Sequence, residues 1–305
     1  MRHRRAAPTV VLVLLVLLAA CTAAAPDPSP STGGPDEVLR LASYDFRENQ
    51  VLVEVYAEAA RRAGVPVAVQ HDAGTREILA PALSQGAVDV LVDYLGTALA
   101  FASPDTSPEQ RTQTELHAAL ASALSSRGVA VLRPALAEDK NGFAVTEAFV
   151  RRHDVATLSG VAALASDLRF GGPPECPERP YCLPGLRRVY GVEFGEVLSM
   201  PSRAATADAL IGGQIDVGLL ETTDARLAGP GLLLLADDRG LQPHENVVPL
   251  VRMDALERWG DQLRTAFDDV SARLTTGGVV RLNREMELQG LSPQEAASRW
   301  WEQEE

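Results

Sequence analysis

The amino-acid sequence predicts an α/β protein with two similar lobes and a ligand cleft between them. A repeated segment is the main reason: residues 82–97 read ALSQGAVDVLVDYLGT, and residues 209–224 read ALIGGQIDVGLLETTD. Each copy is typical of a helix end, a glycine stop and a short apolar strand. Chance similarity between two ordinary helix-to-strand joints is the alternative. The second reason is that apolar strands alternate with amphipathic helices along most of the chain, as in sheets that are covered by helices.

Both copies of the repeat run into a polar tip, which contains Tyr94 in the first copy and Glu221 in the second. Open α/β sheets bind ligands beyond the carboxyl ends of their strands. If the two lobes are equivalent, each offers such a tip to a shared cleft. We therefore expect Tyr94 and Glu221 to face each other across it.

The first residues have the pattern of a targeting segment. A basic start precedes an apolar run at residues 9–20, which is shorter than the about 20 residues that a membrane-spanning helix needs. The run ends in LAAC, and small residues followed by Cys21 resemble a bacterial lipobox. That resemblance implies a signal peptide at residues 1–20 and acylation of Cys21, whereas an ordinary signal peptide would leave Cys21 as a free thiol. Residues 21–37 are rich in Ala, Pro, Ser and Gly and predict a flexible tether.

The net charge limits the classes of partner that this protein can bind, and the cysteine content indicates a disulfide. The net charge is −13, and removing Arg2, Arg4 and Arg5 with the leader makes it −16. This argues against binding to nucleic acid or to an anionic surface, and it is compatible with a cationic or zwitterionic ligand. Cys176 and Cys182 remain in a proline-rich loop, and we expect them to form a disulfide.

The elements of the first lobe follow from periodicity and from helix stop signals. Apolar residues recur at helical spacing over 48–63, and Gly64 ends that helix. Ser107 and Gln110 form a capping-box pattern, which predicts the start of a helix that stops at Gly128. The remaining predicted elements are strands at 38–42, 65–70, 88–92 and 129–132, a helix at 75–85, and a short helix after the Gly96-Thr97 turn.

The second lobe is predicted in the same way. Its strands are predicted at 141–145, 168–171, 196–200, 215–220 and 231–236, and its helices at 158–165, 185–190 and 204–212. A strand at 247–252 returns to the first lobe, and the helical remainder includes a capping box from Ser292 to Glu295. The first lobe is thus discontinuous, with residues 38–139 plus 240–305, and the second comprises 140–239. Two hinge crossings between lobes suit closure around a ligand.

Several ordered segments resemble a known family. They are ASYDFRENQVL, GTREILAPALSQGAVDVLVDYLGTAL, LRFGGPPE, PGLRRVYGVEF, LETTDARL and DDRGLQP. The set resembles the substrate-binding proteins of bacterial ABC importers for osmoprotectants such as glycine betaine, choline and carnitine, from Val38 to about Trp301. The resemblance implies a two-lobed periplasmic-binding-protein-like clamp of type II, transporter permease subunits as partners, and no cofactor.

The family binds a quaternary ammonium group in a box of aromatic rings through cation–π attraction. The resemblance places Tyr94 on a box tyrosine, and Phe143 where another tyrosine is usual. Glu221 lies where a third tyrosine is common, and Asn246, or its neighbour Glu245, lies near a fourth. We interpret Glu221 as a carboxylate that selects a cationic head, which could carry N–H donors. The alternative is that Glu221 is a solvated loop acid.

Other candidate ligand residues lie near predicted strand ends. Tyr44 occupies a position where some members of the family have a lysine that binds a ligand carboxylate, and Arg76 is the best-placed substitute for that lysine. Thr75 could offer its hydroxyl, or could only cap the helix. Asp45 lies at the first strand-to-helix joint, and Thr97 could donate to the ligand or cap the following helix.

The combined hypothesis is an extracytoplasmic, lipid-anchored, monomeric receptor that delivers a cationic or zwitterionic solute to an ABC transporter. Catalysis has little support, because the five histidines are scattered and there is no nucleophile elbow, phosphate loop or metal-ligand spacing. One alternative is a receptor for another polar small molecule, such as an amine or amino-acid derivative. Another is an enzyme or a structural lipoprotein on the same fold.

Overall fold

The structure, a computed structural model, describes residues 38–108 and 111–304. The predicted signal peptide at 1–20, the acylation site Cys21 and the tether at 21–37 lie outside the described residues. In the described part of the chain, no helix is both long enough and apolar enough to cross a membrane.

Ten strands of the described residues form two separate five-stranded sheets. The strands are β1 (Leu39–Ala42), β2 (Val67–Gln70), β3 (Val90–Tyr94), β4 (Val129–Val131), β5 (Asn141–Thr146), β6 (Arg169–Gly172), β7 (Glu196–Ser199), β8 (Val217–Glu221), β9 (Leu232–Leu234) and β10 (Val247–Arg252). The first sheet has the order β2-β1-β3-β10-β4, and the second has the order β7-β6-β8-β5-β9. In each sheet three parallel strands are followed by an antiparallel strand. The two sheets are therefore two versions of one topology.

Helices cover both sheets. They are α1 (Arg47–Arg62), α2 (Arg76–Gln85), α3 (Leu95–Ala102), α4 (Gln113–Ser125), α5 (Glu147–His153), α6 (Leu158–Ala162), α7 (Leu183–Tyr190), α8 (Arg203–Ile211), α9 (Met253–Arg273), α10 (Thr276–Gln289) and α11 (Pro293–Glu304). The helix α9 is broken at Gly260, which has φ of 60°. Most residues of α1 are buried, and α1 packs against α9, α10 and α11. This packing joins the C-terminal helices to the first lobe.

The repeat that is visible in the sequence forms the same local structure twice. Gly86 ends α2 with φ of 79°, and Gly213 follows α8 with φ of 67°, in the left-handed region that favours glycine. After each glycine the chain enters the third parallel strand of its sheet, β3 or β8. Tyr94 ends β3 and Glu221 ends β8, so the two residues occupy equivalent strand ends.

A matching ion pair precedes each of these strands. Asp89 accepts hydrogen bonds from the backbone N and the Nε of Arg40, both at 2.9 Å. Asp216 accepts the same bonds from Arg169, at 2.9 Å and 3.0 Å. Each aspartate thus fixes the edge of the neighbouring strand, in agreement with a structural role for both residues.

One predicted helix start is wrong. The helix α4 begins at Gln113, after a capping box in which Thr112 Oγ1 accepts from Glu115 N and Glu115 Oε2 accepts from Thr112 N. The sequence contains two successive capping patterns, at 107–110 and 112–115, and only the second is followed at helical spacing by the buried leucines of this helix. The capping box of Ser292 and Glu295 is confirmed. The short helix α5 is not predicted.

The chain crosses between the sheets twice, and the two crossings lie side by side. Glu138 forms an isolated antiparallel bridge with Asn246, and Asp139 N donates to Glu245 O at 3.1 Å. Lys140 N then donates to the hydroxyl of Thr222 at 2.9 Å. These paired crossings form a narrow connection of the kind that permits two lobes to rotate. The lobe boundaries at 139/140 and 239/240 stay predictions.

Candidate functional site

Two cavities lie between the lobes and share one wall. The first has a volume of about 410 Å³, and the second of about 540 Å³. Asp139, Arg203 and Glu221 line both. We call the first the Tyr94 chamber, whose lining includes Tyr94, Thr97, Glu245 and Tyr181. We call the second the Glu48 chamber, whose lining includes Phe46, Glu48, Thr223 and Asn283.

The predicted pair of strand-end residues meets in this cleft. Tyr94 and Glu221 come from different sheets, and both line the Tyr94 chamber. The Tyr94 hydroxyl donates to Glu48 Oε1 at 2.6 Å. Burial, followed by the negative charge of Glu48, raises the pKa of Tyr94 well above its ordinary value. The tyrosine therefore stays neutral and its ring is held in one orientation.

Glu221 is not a free carboxylate. Arg203, the first residue of α8, donates from Nε to Glu221 Oε1 at 2.5 Å. The charge of Glu221 is thus balanced within its own lobe, although its side chain is still 34% exposed. This differs from the expectation that Glu221 alone offers a negative wall to a cationic ligand.

Two other carboxylates are held by neutral donors. Asp139 accepts from the Thr223 hydroxyl at 2.8 Å, and Glu245 accepts from the backbone N and the hydroxyl of Thr97 at 3.0 Å and 2.7 Å. Burial, with Glu48 and other nearby carboxylates, raises the pKa of Asp139 well above its ordinary value. Burial raises the pKa of Glu245 to about 7, although the Thr97 bonds oppose this rise. Both groups would be stabilised in their charged form by a bound cation.

Two aromatic residues that the sequence reasoning missed border the chambers. Phe46 is 41% exposed, and its ring stacks on those of Tyr44 and Tyr94 at centroid distances of 6.0 Å and 6.2 Å. Tyr181 lines the Tyr94 chamber from the loop between Cys176 and Cys182. The only sequence signals for them are an aromatic residue directly after the first strand and one inside the cysteine loop.

The predicted disulfide is present and holds that loop. Cys176 and Cys182 are buried and bonded to each other, with their Cα atoms 5.3 Å apart. Tyr181 is the residue before Cys182, and its backbone carbonyl accepts from Gln242 Nε2 at 2.8 Å. The loop therefore presents Tyr181 to the chamber from a covalently restrained segment.

Tyr44 and Arg76 both form hydrogen bonds to Asp93. Arg76 donates to both carboxylate oxygens of Asp93 at 3.0 Å and 2.6 Å, and the Tyr44 hydroxyl donates to Asp93 at 2.6 Å. The guanidinium also lies over the Tyr44 ring, 5.2 Å from its centroid. Burial acts against the charge on Arg76, but Asp93 more than compensates and raises the Arg76 pKa. Arg76 is thus already neutralised and lines neither chamber.

Phe143 and Asn246 line neither the Tyr94 chamber nor the Glu48 chamber, although Phe143 lines a third cavity of about 540 Å³. Phe143 lies two residues inside β5, is 2% exposed and packs against Phe170 in the core of the second lobe. Asn246 is buried and donates from Nδ2 to Ala135 O at 2.9 Å. Its neighbour Glu245 reaches the Tyr94 chamber instead, because adjacent residues of an extended segment point to opposite sides.

The remaining predicted residues divide into two groups. Thr97 lines the Tyr94 chamber, where it binds Glu245. Asp45 and Thr75 are exposed, and neither lines a chamber. The Thr75 side chain interacts with the nearby Glu77 carboxylate.

Comparison with known proteins gives a consistent assignment. The family model described as the substrate binding domain of the ABC-type glycine betaine transport system matches residues 37–303. A glycine-betaine-binding protein of Pseudomonas aeruginosa is 24% identical over 278 residues, which cover 86% of each chain. The glycine betaine-binding protein YehZ of Escherichia coli is 21% identical, over 87% of this chain and 90% of its own.

Solved structures agree with this assignment in fold. A crystal structure described as a glycine betaine/carnitine/choline ABC transporter superposes with a TM-score of 0.80 at 22% identity, covering 87% of this chain and 98% of the other. Apo YehZ gives a TM-score of 0.77 at 21% identity, with the same coverage. The predicted two-lobed periplasmic-binding-protein-like fold is thereby confirmed. The chain belongs to the family of substrate-binding domains of ABC-type glycine betaine transport systems.

Proposed function

We propose that this protein binds a small cationic or zwitterionic solute of the glycine betaine, carnitine or choline class and delivers it to an ABC transporter. One observation carries the proposal: the Tyr94 chamber combines two tyrosines with two carboxylates, the half-buried Asp139 and the buried Glu245, that are held by neutral donors. Cation–π attraction contributes about 0.5–2 kcal/mol for each ring, depending on how far the cation is desolvated. The names of the relatives from Pseudomonas aeruginosa and Escherichia coli support the same ligand class.

The two ends of a zwitterion would be bound by different residues. Tyr94 and Tyr181 would face the cationic head, with Asp139 and Glu245 supplying negative charge. Arg203 would receive the carboxylate end, because a guanidinium has five N–H donors and its Nε is the donor bonded to Glu221. Closure of the lobes would exclude water, which strengthens each of these electrostatic contacts.

Calorimetric titration tests this proposal directly. We expect glycine betaine and choline to bind, and the neutral choline analogue 3,3-dimethylbutan-1-ol to bind at least about tenfold more weakly, because it keeps the shape and loses the charge. Asp139→Asn should weaken choline binding by a similar factor, whereas Asp208→Asn, a change on the exposed surface of α8, should not. Equal affinity for choline and its neutral analogue would contradict the proposal.

A receptor for a less methylated amine is the second candidate. The carboxylates of Asp139 and Glu245 accept N–H bonds, which a trimethylammonium group cannot donate. Titration with glycine betaine, dimethylglycine, sarcosine and glycine separates the two candidates. Affinity that rises with methylation supports the aromatic contribution, and affinity that falls supports recognition of N–H donors.

We also propose that the protein is monomeric and is held outside the cytoplasm by lipid on Cys21, at the end of the LAAC sequence. Metabolic labelling with an alkyne fatty acid should mark the wild-type protein in the membrane fraction. Cys21→Ala should remove the label, and labelling of that variant would exclude this anchor.

A further inference from the structure

A buried asparagine of α10 connects the two lobes beside the Glu48 chamber. We propose that Asn283 is a positioning residue that fastens the lobes together by binding both Glu48 of the first lobe and the backbone of Thr223 in the second. This inference rests on the proposed function, since it concerns how closure and ligand binding are linked.

The amide group of Asn283 uses its donors on both lobes. Its Nδ2 donates to Glu48 Oε2 at 2.6 Å and to Thr223 O at 2.9 Å. A carboxamide has two N–H donors, so one goes to each lobe. Thr223 lies just before the 3₁₀ turn Ala225–Ala228, which packs against α10. The contact is therefore part of a packed interface between the lobes.

Both partners of Asn283 are bonded in turn to the Tyr94 chamber. The second oxygen of Glu48 accepts from the Tyr94 hydroxyl at 2.6 Å. The Thr223 hydroxyl donates to Asp139 at 2.8 Å. A short hydrogen-bonded chain thus runs from the ring of Tyr94 through Asn283 to the carboxylate of Asp139. When the lobes separate at Asn283, the residues that border the ligand lose their fixed positions.

The chemistry of the side chain explains why an amide is suited to this place. Asn283 is 4% exposed, and in the described part of the chain its Oδ1 is buried without a hydrogen-bond partner. The residue therefore acts through its N–H groups. An aspartate has the same shape but would present a carboxylate to Glu48 and to the Thr223 carbonyl, which repels both.

The test compares lobe closure and ligand release in three variants. Asn283→Asp places a carboxylate against Glu48 and the Thr223 carbonyl, and Asn283→Leu removes both N–H donors at a similar volume, so each should open the cleft. We expect a larger radius of gyration in solution scattering without ligand, and faster amide exchange over residues 222–228. The dissociation rate of glycine betaine or choline should rise at least about tenfold, with little change in the association rate. Arg284→Ala, on the exposed face of the same helix, is the matched control.

The double variant Glu48→Gln with Asn283→Asp shows whether Asn283 joins the two lobes or acts only inside the first lobe, through its bond to Glu48. The introduced glutamine can donate to the introduced aspartate, which restores the bond inside the first lobe but not the bond to Thr223. If Asn283 fastens the lobes, the double variant stays open and releases ligand quickly. Recovery of wild-type scattering and release would overturn the inference, as would unchanged scattering and exchange in both single variants.

The two proposals fail in different ways. Scattering and exchange are measured without ligand, so they report on Asn283 even if the wild-type protein binds none of the probes. A wild type that binds neither glycine betaine nor choline would count against the proposed function alone. If Asn283→Asp does not fold, Asn283→Leu carries the test, because leucine removes both donors without bringing a charge into the interface.

Discussion

Replacing Glu245 with glutamine should stabilise the protein at alkaline pH and not at acidic pH. Glu245 is 9% exposed, and burial raises its pKa from an ordinary value of 4.5 to about 7. The folded protein therefore binds this proton more tightly than the unfolded chain does. The free energy of unfolding must then fall as the pH rises from about 4.5 to about 7, and the full loss of stability is present above that range.

The size of the effect follows from the two pKa values. Each pKa unit corresponds to about 1.4 kcal/mol, so the upper limit is about 3 kcal/mol. Glutamine has the same shape and never ionises. Its carbonyl can accept from the Thr97 backbone N, and its amide can donate to the Thr97 hydroxyl, which binds Glu245 in the wild type. We expect the free energy of unfolding of Glu245→Gln, relative to that of the wild type, to rise by about 1–3 kcal/mol as the pH rises from about 5 to about 8.

Urea unfolding, followed by tryptophan fluorescence at several pH values, measures this difference. Glu257→Gln, an exposed change on α9, is the control and should show no pH-dependent gain. A difference between Glu245→Gln and the wild type that stays constant with pH would refute the reasoning. A saturating cationic ligand should reduce the difference, because it stabilises the charged form of Glu245.

Three further predictions concern the structural framework, and each is measured first in the same unfolding assay. Asp89→Asn should lower the free energy of unfolding by about 1–2 kcal/mol more than Asp216→Asn does, because the two aspartates bind equivalent arginines but are 1% and 27% exposed. Equal losses of stability would contradict the role of burial. Arg76→Met should destabilise by about 3 kcal/mol, since it leaves the buried Asp93 without its cation, and adding Asp93→Asn should recover part of the loss. Replacing Cys176 and Cys182 with serine should lower the free energy of unfolding by about 2 kcal/mol, because the disulfide closes only a short loop. The same change should weaken choline binding, because Tyr181 in that loop lines the Tyr94 chamber. Unchanged affinity would argue against the loop as part of the site.

The family assignment confirms the prediction of a transport binding protein instead of an enzyme. The predicted fold is confirmed, whereas the ligand-binding residues stay predictions. The box residues Phe143 and Asn246 are buried, whereas Phe46 and Tyr181 border the chambers. Transferring positions from a resemblance identifies a strand, but an error of one or two residues along it moves a side chain from the cleft into the core.

Local patterns in the chain are sufficient to predict the two lobes, their strand ends and the disulfide. Apolar periodicity, glycine stops and the repeated segment act over a few residues, so they are readable without a structure. The meeting of Tyr94 and Glu221 follows from the same repeat, because equivalent strands end at equivalent edges.

The charge pairing in the cleft depends on the folded arrangement. Arg203 neutralises Glu221 within the second lobe, and Asn283 joins residues that are far apart in the chain, Glu48 of the first lobe and Thr223 of the second. A sequence shows which residues carry charge, but the strength of an electrostatic contact depends on distance and burial. Those two quantities are set only once the chain has folded around the cavity.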